Sequence, residues 1–187
     1  MAVSSQVISA TDVLLALLYA KGSTGKYNEP ISGTTKLEKF MYILNQESDL
    51  QKIIEEEYKF VPDNFGPCAH EIFDDIEMLK DANIVKEESK PLYTSLDEGD
   101  TENSNMDSMI IDDEHIKPTN LRVFSLTEKG EKIGSILFKS MNEEEQNKIT
   151  ILKKLFNKRP VSHIVKYVYE KYPHMIGESI IRDSVLY

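Results

Sequence analysis

The side chains best suited to chemistry lie between Phe65 and Lys80, in "FGPCAHEIFDDIEMLK". His70 opens "HEIFD", which begins like the zinc-protease motif H-E-x-x-H, where two histidines one helical turn apart bind the metal and the glutamate is the base. The fifth position here is Asp74, so His70 and Asp74 can share a helix face, but a metal needs at least one more ligand. Cys68 sits beside Pro67 at the expected start of a helix, a place that favours a thiolate, while Glu71 and Asp74 oppose one. A single cysteine excludes an intramolecular disulfide framework and a Cys-based zinc cluster. "AKGSTGKY", residues 20–27, imitates a phosphate loop, but Ala20 and Tyr27 replace the required Gly and Ser/Thr, and a helix precedes where a strand is needed. No Ser-His-Asp or paired-carboxylate arrangement follows from the spacing. The chain therefore reads as a binding protein, not an enzyme, with no cofactor.

What remains is charge. Glu71, Asp74, Asp75 and Glu77 lie off the apolar stripe of the helix expected over 67–80, against one base, Lys80. Binding to DNA gains by releasing counterions from phosphates to Lys and Arg, so this face is poor for a groove and better suited to a basic protein partner. The basic residues cluster elsewhere. Lys153, Lys154, Lys158, Arg159, Lys166 and Lys171 are interleaved with Phe156, Tyr167 and Tyr172, and Lys36 and Lys39 add charge earlier in the chain. Such residues make phosphate contacts that position a DNA-binding domain. The net charge of −10 belongs largely to one segment, 97–116, which holds eight acids and no Lys or Arg; of 32 acids, 24 remain against 22 bases without it.

The elements that must position these groups follow from periodicity. Residues 8–20 predict a helix capped by Ser9 or Thr11, and 21–33 a loop. Leu37, Phe40, Met41 and Leu44 recur at helical spacing from a start at Thr34 or Thr35. A short helix is expected within 49–57, then the extended "YKFVPDNFGP". Pro67 suits the first turn of the next helix, with Ile72, Phe73, Ile76 and Leu79 inside and Asn83 closing it in the left-handed conformation. "IVKEE" and "LRVFSL" are the strands of a long acidic hairpin, mobile over about 87–120. Thr127 caps a helix that buries Ile133, Ile136 and Leu137, and two more helices end before Pro173.

"TTKLEKFMYIL", "FGPCAHEIFDDIEMLKDANIV", "FSLTEKGEKI" and "VYEKYPHM" resemble an incompletely characterised family of bacterial and archaeal winged-helix proteins. Its members tend to carry a "G-R-T-K-L-Q-K" helix, an "F-G-P-Y-S" turn, an "L-T-x-K-G" strand exit and a late "Y-x-K-Y-P". The resemblance covers about residues 10–175 and extends more distantly to PadR-like and MarR-like transcriptional regulators. Thr34 stands where the family tends to have Arg, Cys68-Ala69 replace "Y-S", and Asn83 replaces Gly.

The resemblance implies a winged helix-turn-helix, mainly α with a small β-hairpin (α+β), and additional C-terminal helices. A winged-helix domain is expected over 1–140 and a helical extension over 141–187. The leading expectation is a DNA-binding transcriptional regulator or accessory factor, a cytoplasmic homodimer on double-stranded DNA. Thr34, Thr35, Lys36, Lys39, His70, Lys153, Lys154, Lys158 and Arg159 would face the duplex. The alternative is an antitoxin-like or complex-assembly module that presents Glu71, Asp74, Asp75 and Glu77 to a basic protein. The longest apolar run, "VLLALLYA", is far short of the roughly 20 residues of a membrane span.

Overall fold

The computed structural model describes residues 9–91 and 120–177. The acidic segment 97–116, and most of the hairpin expected to be mobile over 87–120, lie outside them. α1 (Ala10–Tyr19) starts from a reciprocal cap: the Ser9 hydroxyl accepts from Asp12 N at 3.1 Å, and the Asp12 carboxylate accepts from Ser9 N at 3.0 Å. The segment expected as loop contains a strand, β1 (Ile31–Ser32). Two residues are too short for any periodicity; only the pairing partner makes them a strand.

α2 (Thr34–Glu47) is the centre of the molecule, buried without interruption from Thr35 to Asn45. Its apolar stripe explains one buried face. The other face is covered by the C-terminal helices, α6 (Glu143–Phe156) and α7 (Val161–Lys171), and by the hairpin described next. After α3 (Gln51–Glu57), β2 (Val61–Asp63) and β3 (Gly66–Cys68) form a two-stranded ribbon with Pro62 opposite Pro67. Both strands are edges, so the missing proline N–H groups are tolerated. Pro67 thus belongs to a strand. The next helix, α4 (Glu71–Asp81), begins four residues later than its sequence suggests. Asn83 ends it with a positive φ of 54°.

β4 (Val85–Pro91) and β5 (Asn120–Leu126) pair antiparallel, from Val85 with Leu126 to Pro91 with Asn120. β1 joins the other edge of β5, giving the order β1-β5-β4. α5 (Glu128–Ser140) is capped by Thr127, whose hydroxyl accepts from Gly130 N at 3.1 Å. A side chain at Gly130 would start 2.1 Å from the Ile84 carbonyl oxygen, so this turn of α5 can lie against the chain only without a Cβ. Ile136 points to solvent at 63% exposure and not into the core, because α5 meets α1 along the neighbouring face through Gly134 and Phe138.

The hydrophobic core runs across residue 140 without a break, joining Leu14, Phe40 and Ile76 to Ile149, Leu152 and Val165. Val161, Ile164, Val165 and Val168 of α7 are core. Fully burying one such side chain contributes about 1.5–3 kcal/mol. Glu47, at the end of α2, ties the C-terminal helices down: its carboxylate accepts from Tyr167 Oη at 2.7 Å, Tyr172 Oη at 2.8 Å and Lys148 Nζ at 3.0 Å, and pairs with Lys171 Nζ at 2.9 Å. A 3₁₀ turn (Pro173–Met175) follows α7. Among the described residues, no helix is long and apolar enough to cross a membrane.

Two outcomes are expected. Gly130→Ala should lower stability by about 1–3 kcal/mol, the usual cost of overpacking, in chemical denaturation. Glu47 is pushed up by burial, yet the donors around it prevail and hold its pKa at about 2, against an ordinary carboxylate near 4.5. Its contribution to stability is therefore complete above pH 4.5 and is lost as pH falls towards 2. Glu47→Gln should remove that part of the acid-unfolding curve and be less stable than wild type at neutral pH.

Candidate functional site

α4 presents the surface on which the two functional readings differ. Ile72, Ile76 and Leu79 are buried, which turns Asp74, Glu77, Met78 and Asp81 outward, with Glu71 half-buried beside them. Met78 is 54% exposed in the middle of these carboxylates. His70, also exposed, precedes the helix.

Two of the four acids singled out in the sequence have partners within the protein. Asp75 turns inward and accepts from Thr11 Oγ1 at 2.6 Å and Tyr58 Oη at 2.7 Å, fixing α4 to α1 and to the end of α3. Glu77 belongs to a compact ion network. Arg122 on β5 donates to Glu87 on β4 at 2.6 Å and to Glu77 at 3.0 Å, while Lys80 lies 2.7 Å from Glu87 and 2.9 Å from Glu77. Two cations face two anions, so the network adds no net charge to the surface. The bond from Arg122 is the main reason that the Glu87 pKa falls to about 2. The Arg122 guanidinium also lies over Phe124, 5.2 Å from the ring centroid, and over Phe73 at 5.9 Å. Helix and hairpin are thereby fixed to each other, and Glu71, Asp74 and Asp81 remain as the outward charge.

The lysines expected on phosphates divide sharply. Lys36 is buried, and its ammonium donates to the carbonyl oxygens of Asn157 at 3.0 Å and Arg159 at 2.8 Å. Lys39 has no exposed surface; it donates to Pro67 O at 2.8 Å and lies 3.5 Å from Glu38. Lys153 is equally buried and donates to Leu18 O at 2.7 Å. None of these three ammoniums faces solvent, so none is placed to meet a phosphate. Thr35 is buried and Thr34 half-buried in the first turn of α2. Lys154, Lys158 and Arg159 are exposed around the end of α6, where Ser23 Oγ donates to Lys154 O at 3.0 Å.

Cys68 is buried, and its thiol donates to Glu38 Oε1 at 2.9 Å, with His70 Nδ1 at 4.0 Å. Burial, and then the bond to Glu38, push the thiol up to about 12. The helix start that would favour a thiolate lies elsewhere, since Cys68 is on β3 and α4 begins at Glu71. Burial likewise raises Glu38 and lowers Lys39 from their ordinary values. Among the described residues, no three His, Cys, Asp or Glu side chains are placed to share a metal ion.

Burial lowers Lys153 to about 7, far below the ordinary lysine value of 10.5. The unfolded chain thus holds a proton that the folded chain has shed across this window, so stability rises as pH increases from about 7 towards about 10. The cost of burying the charged form is fully present below pH 7. Lys153→Met should compare best with wild type near pH 6 and lose that relative advantage by pH 10, read from thermal unfolding across the series. Equal pH slopes for the two proteins would sink the assignment.

No family model, curated protein or solved structure matches the chain.

Proposed function

We propose that this chain is a winged-helix interaction module that uses α4 to hold a basic protein surface, without reading DNA bases. The winged-helix reading is supported by the order of α1, β1, α2 and α4 followed by the β4–β5 hairpin, and by β1 pairing with the returning strand. In that arrangement α4 occupies the recognition position.

One observation carries the functional half: Asp74 and Asp81 point outward from α4 around an exposed Met78, with Glu71 half-buried beside them and with Lys80 and Arg122 already neutralised by Glu77 and Glu87. A duplex groove carries phosphates on both rims and would be repelled by this face. A basic protein surface would be attracted to it, and a methionine ringed by charge gives an adaptable apolar contact inside a polar rim. The buried lysines strengthen the reading, since Lys36 and Lys39 leave α2 without cations that would position a duplex, and Lys153 of α6 is withdrawn in the same way. The acidic segment 97–116 would add to the attraction of a basic partner. The module works by binding, not by catalysis.

A second reading rests on a different surface. Lys154, Lys158 and Arg159 are exposed together and could hold phosphates, making the chain an accessory DNA-binding factor, with a homodimer doubling the contact.

Fluorescence anisotropy of the full chain on random duplex DNA across a salt series separates the two. The expected result is no binding at low salt. A photo-crosslinking residue in place of Met78 should then trap one partner with a basic surface, and Asp74→Lys should abolish the adduct. Duplex binding that weakens steeply with salt and is lost in Lys158→Glu would overturn the proposal in favour of DNA.

A further inference from the structure

Two helices on either side of the β4–β5 hairpin carry opposite faces at one spacing. On α4, Glu71, Asp74, Met78 and Asp81 recur at i, i+3, i+7 and i+10, so they form a stripe along the helix. On α5, Lys129, Lys132, Ile136 and Lys139 recur at the same spacing and form a second stripe. All eight are exposed except Glu71, which is half-buried. The order on α4 is acid, acid, apolar, acid. The order on α5 is base, base, apolar, base. At the centre of each, Met78 and Ile136 leave more than half of their surface in water.

Neither stripe is consumed within the chain. Both are exposed, so they do not cover each other. Among the described residues, Asp74, Asp81, Lys132 and Lys139 have no ion-pair partner, unlike Glu77 and Lys80 beside them. Lys129 is engaged locally: its ammonium donates to Ala82 O at 2.8 Å, just past the end of α4. The acidic face cannot pair with a second acidic face, nor the basic with a second basic, because like charges would oppose. Each fits the other. With the helices parallel and Met78 against Ile136, Glu71 meets Lys129, Asp74 meets Lys132 and Asp81 meets Lys139. With the helices antiparallel, Asp74 meets Lys139 and Asp81 meets Lys132. The exposed bases of α6 and the turn after it match α4 less well, because Glu143 and Glu144 share their side of the helix.

We propose that α4 of one copy of this chain packs against α5 of a second copy, Met78 on Ile136, so that the basic surface held by α4 is the chain's own. This rests on the reading of α4 as a protein-binding face and names its partner. The apolar pair gives the contact a dry centre and the charges set its register. A single pair of short helices is smaller than most stable interfaces, and exposed ion pairs are screened by salt. The association is therefore weak, and it weakens further as salt is added.

The test is sedimentation velocity of the full chain across a concentration series at low and high salt. The mean mass should rise with concentration at low salt and return to that of a monomer at high salt. Asp74→Lys with Asp81→Lys, and separately Lys132→Glu with Lys139→Glu, should each weaken association by roughly tenfold or more, because attractions become repulsions. These side chains are exposed, so circular dichroism should show both variants folded. Mixing the two variants should restore association, since a basic α4 then meets an acidic α5, and an acidic α4 a basic α5. Lys154→Glu should leave association unchanged. A monomer at every concentration would overturn the proposal, as would association that survives either double reversal or fails to return on mixing. The reading of α4 itself is judged separately: a Met78 cross-link to a different basic protein, from a chain that stays monomeric, would keep that reading and discard self-association.

Discussion

The fold depends on burying α2 on every side. A helix with one apolar stripe is usually half in water, but here Thr35 to Asn45 are covered throughout, with two ammoniums and a carboxylate among them. A buried charge is tolerable only when its hydrogen bonds are met inside the protein. Each ammonium finds backbone carbonyl oxygens: Lys36 those of Asn157 and Arg159, Lys39 that of Pro67. The segments providing these oxygens are the ones that cover the helix. The same bonds that make burial possible therefore fix what lies on top.

Helix ends make good partners for these cations. The last carbonyls of a helix lack intrahelical donors and carry the negative end of its dipole. Lys36 meets the chain leaving α6, and Lys153 meets Leu18 in the last turn of α1. Asn157 reinforces the first junction: its amide donates to Glu29 at 2.7 Å, and Glu29 also gathers the backbone N–H groups of Ser23 and Thr24. Glu47 provides the opposite arrangement at the far end of α2, an anion among phenols and ammoniums. α6 and α7 are thus held to α2 near both of its ends, and the core passes between them without a boundary.

This use of cations shapes the surface that remains. Lysines consumed inside leave α4 and its neighbours with uncompensated acids, and the Arg122–Lys80 network neutralises only Glu77 and Glu87. The network and the inward bonds of Asp75 make α4 a rigid platform, set against β4 and β5 on one side and against Tyr58 on the other. The proposed protein contact rests on this acidic face and its exposed methionine.

Local chemistry along the chain accounts for the parts of the structure that arise within a few residues. Ser9 and Thr127 act as caps because their hydroxyls reach N–H groups three residues away. Asn83 takes the left-handed conformation that ends a helix, and the stripes of α2 and α4 fall inside as their periodicity requires, except Phe73, which stays half-buried beneath Arg122. Features that join residues far apart in sequence arise from packing instead. Ile31–Ser32 is a strand because β5 pairs with it. Pro67 is in a strand because Pro62 returns beside it, and Ile136 is exposed because α5 meets α1 on another face. The fate of the lysines was the largest such decision. Periodicity marks which face of a helix is apolar, but whether its polar face meets water or another helix depends on segments more than a hundred residues away. Lys36 and Lys153 could be read as cations from the sequence. That both would be spent on buried carbonyl oxygens was set by the packing of α6 against α1 and α2.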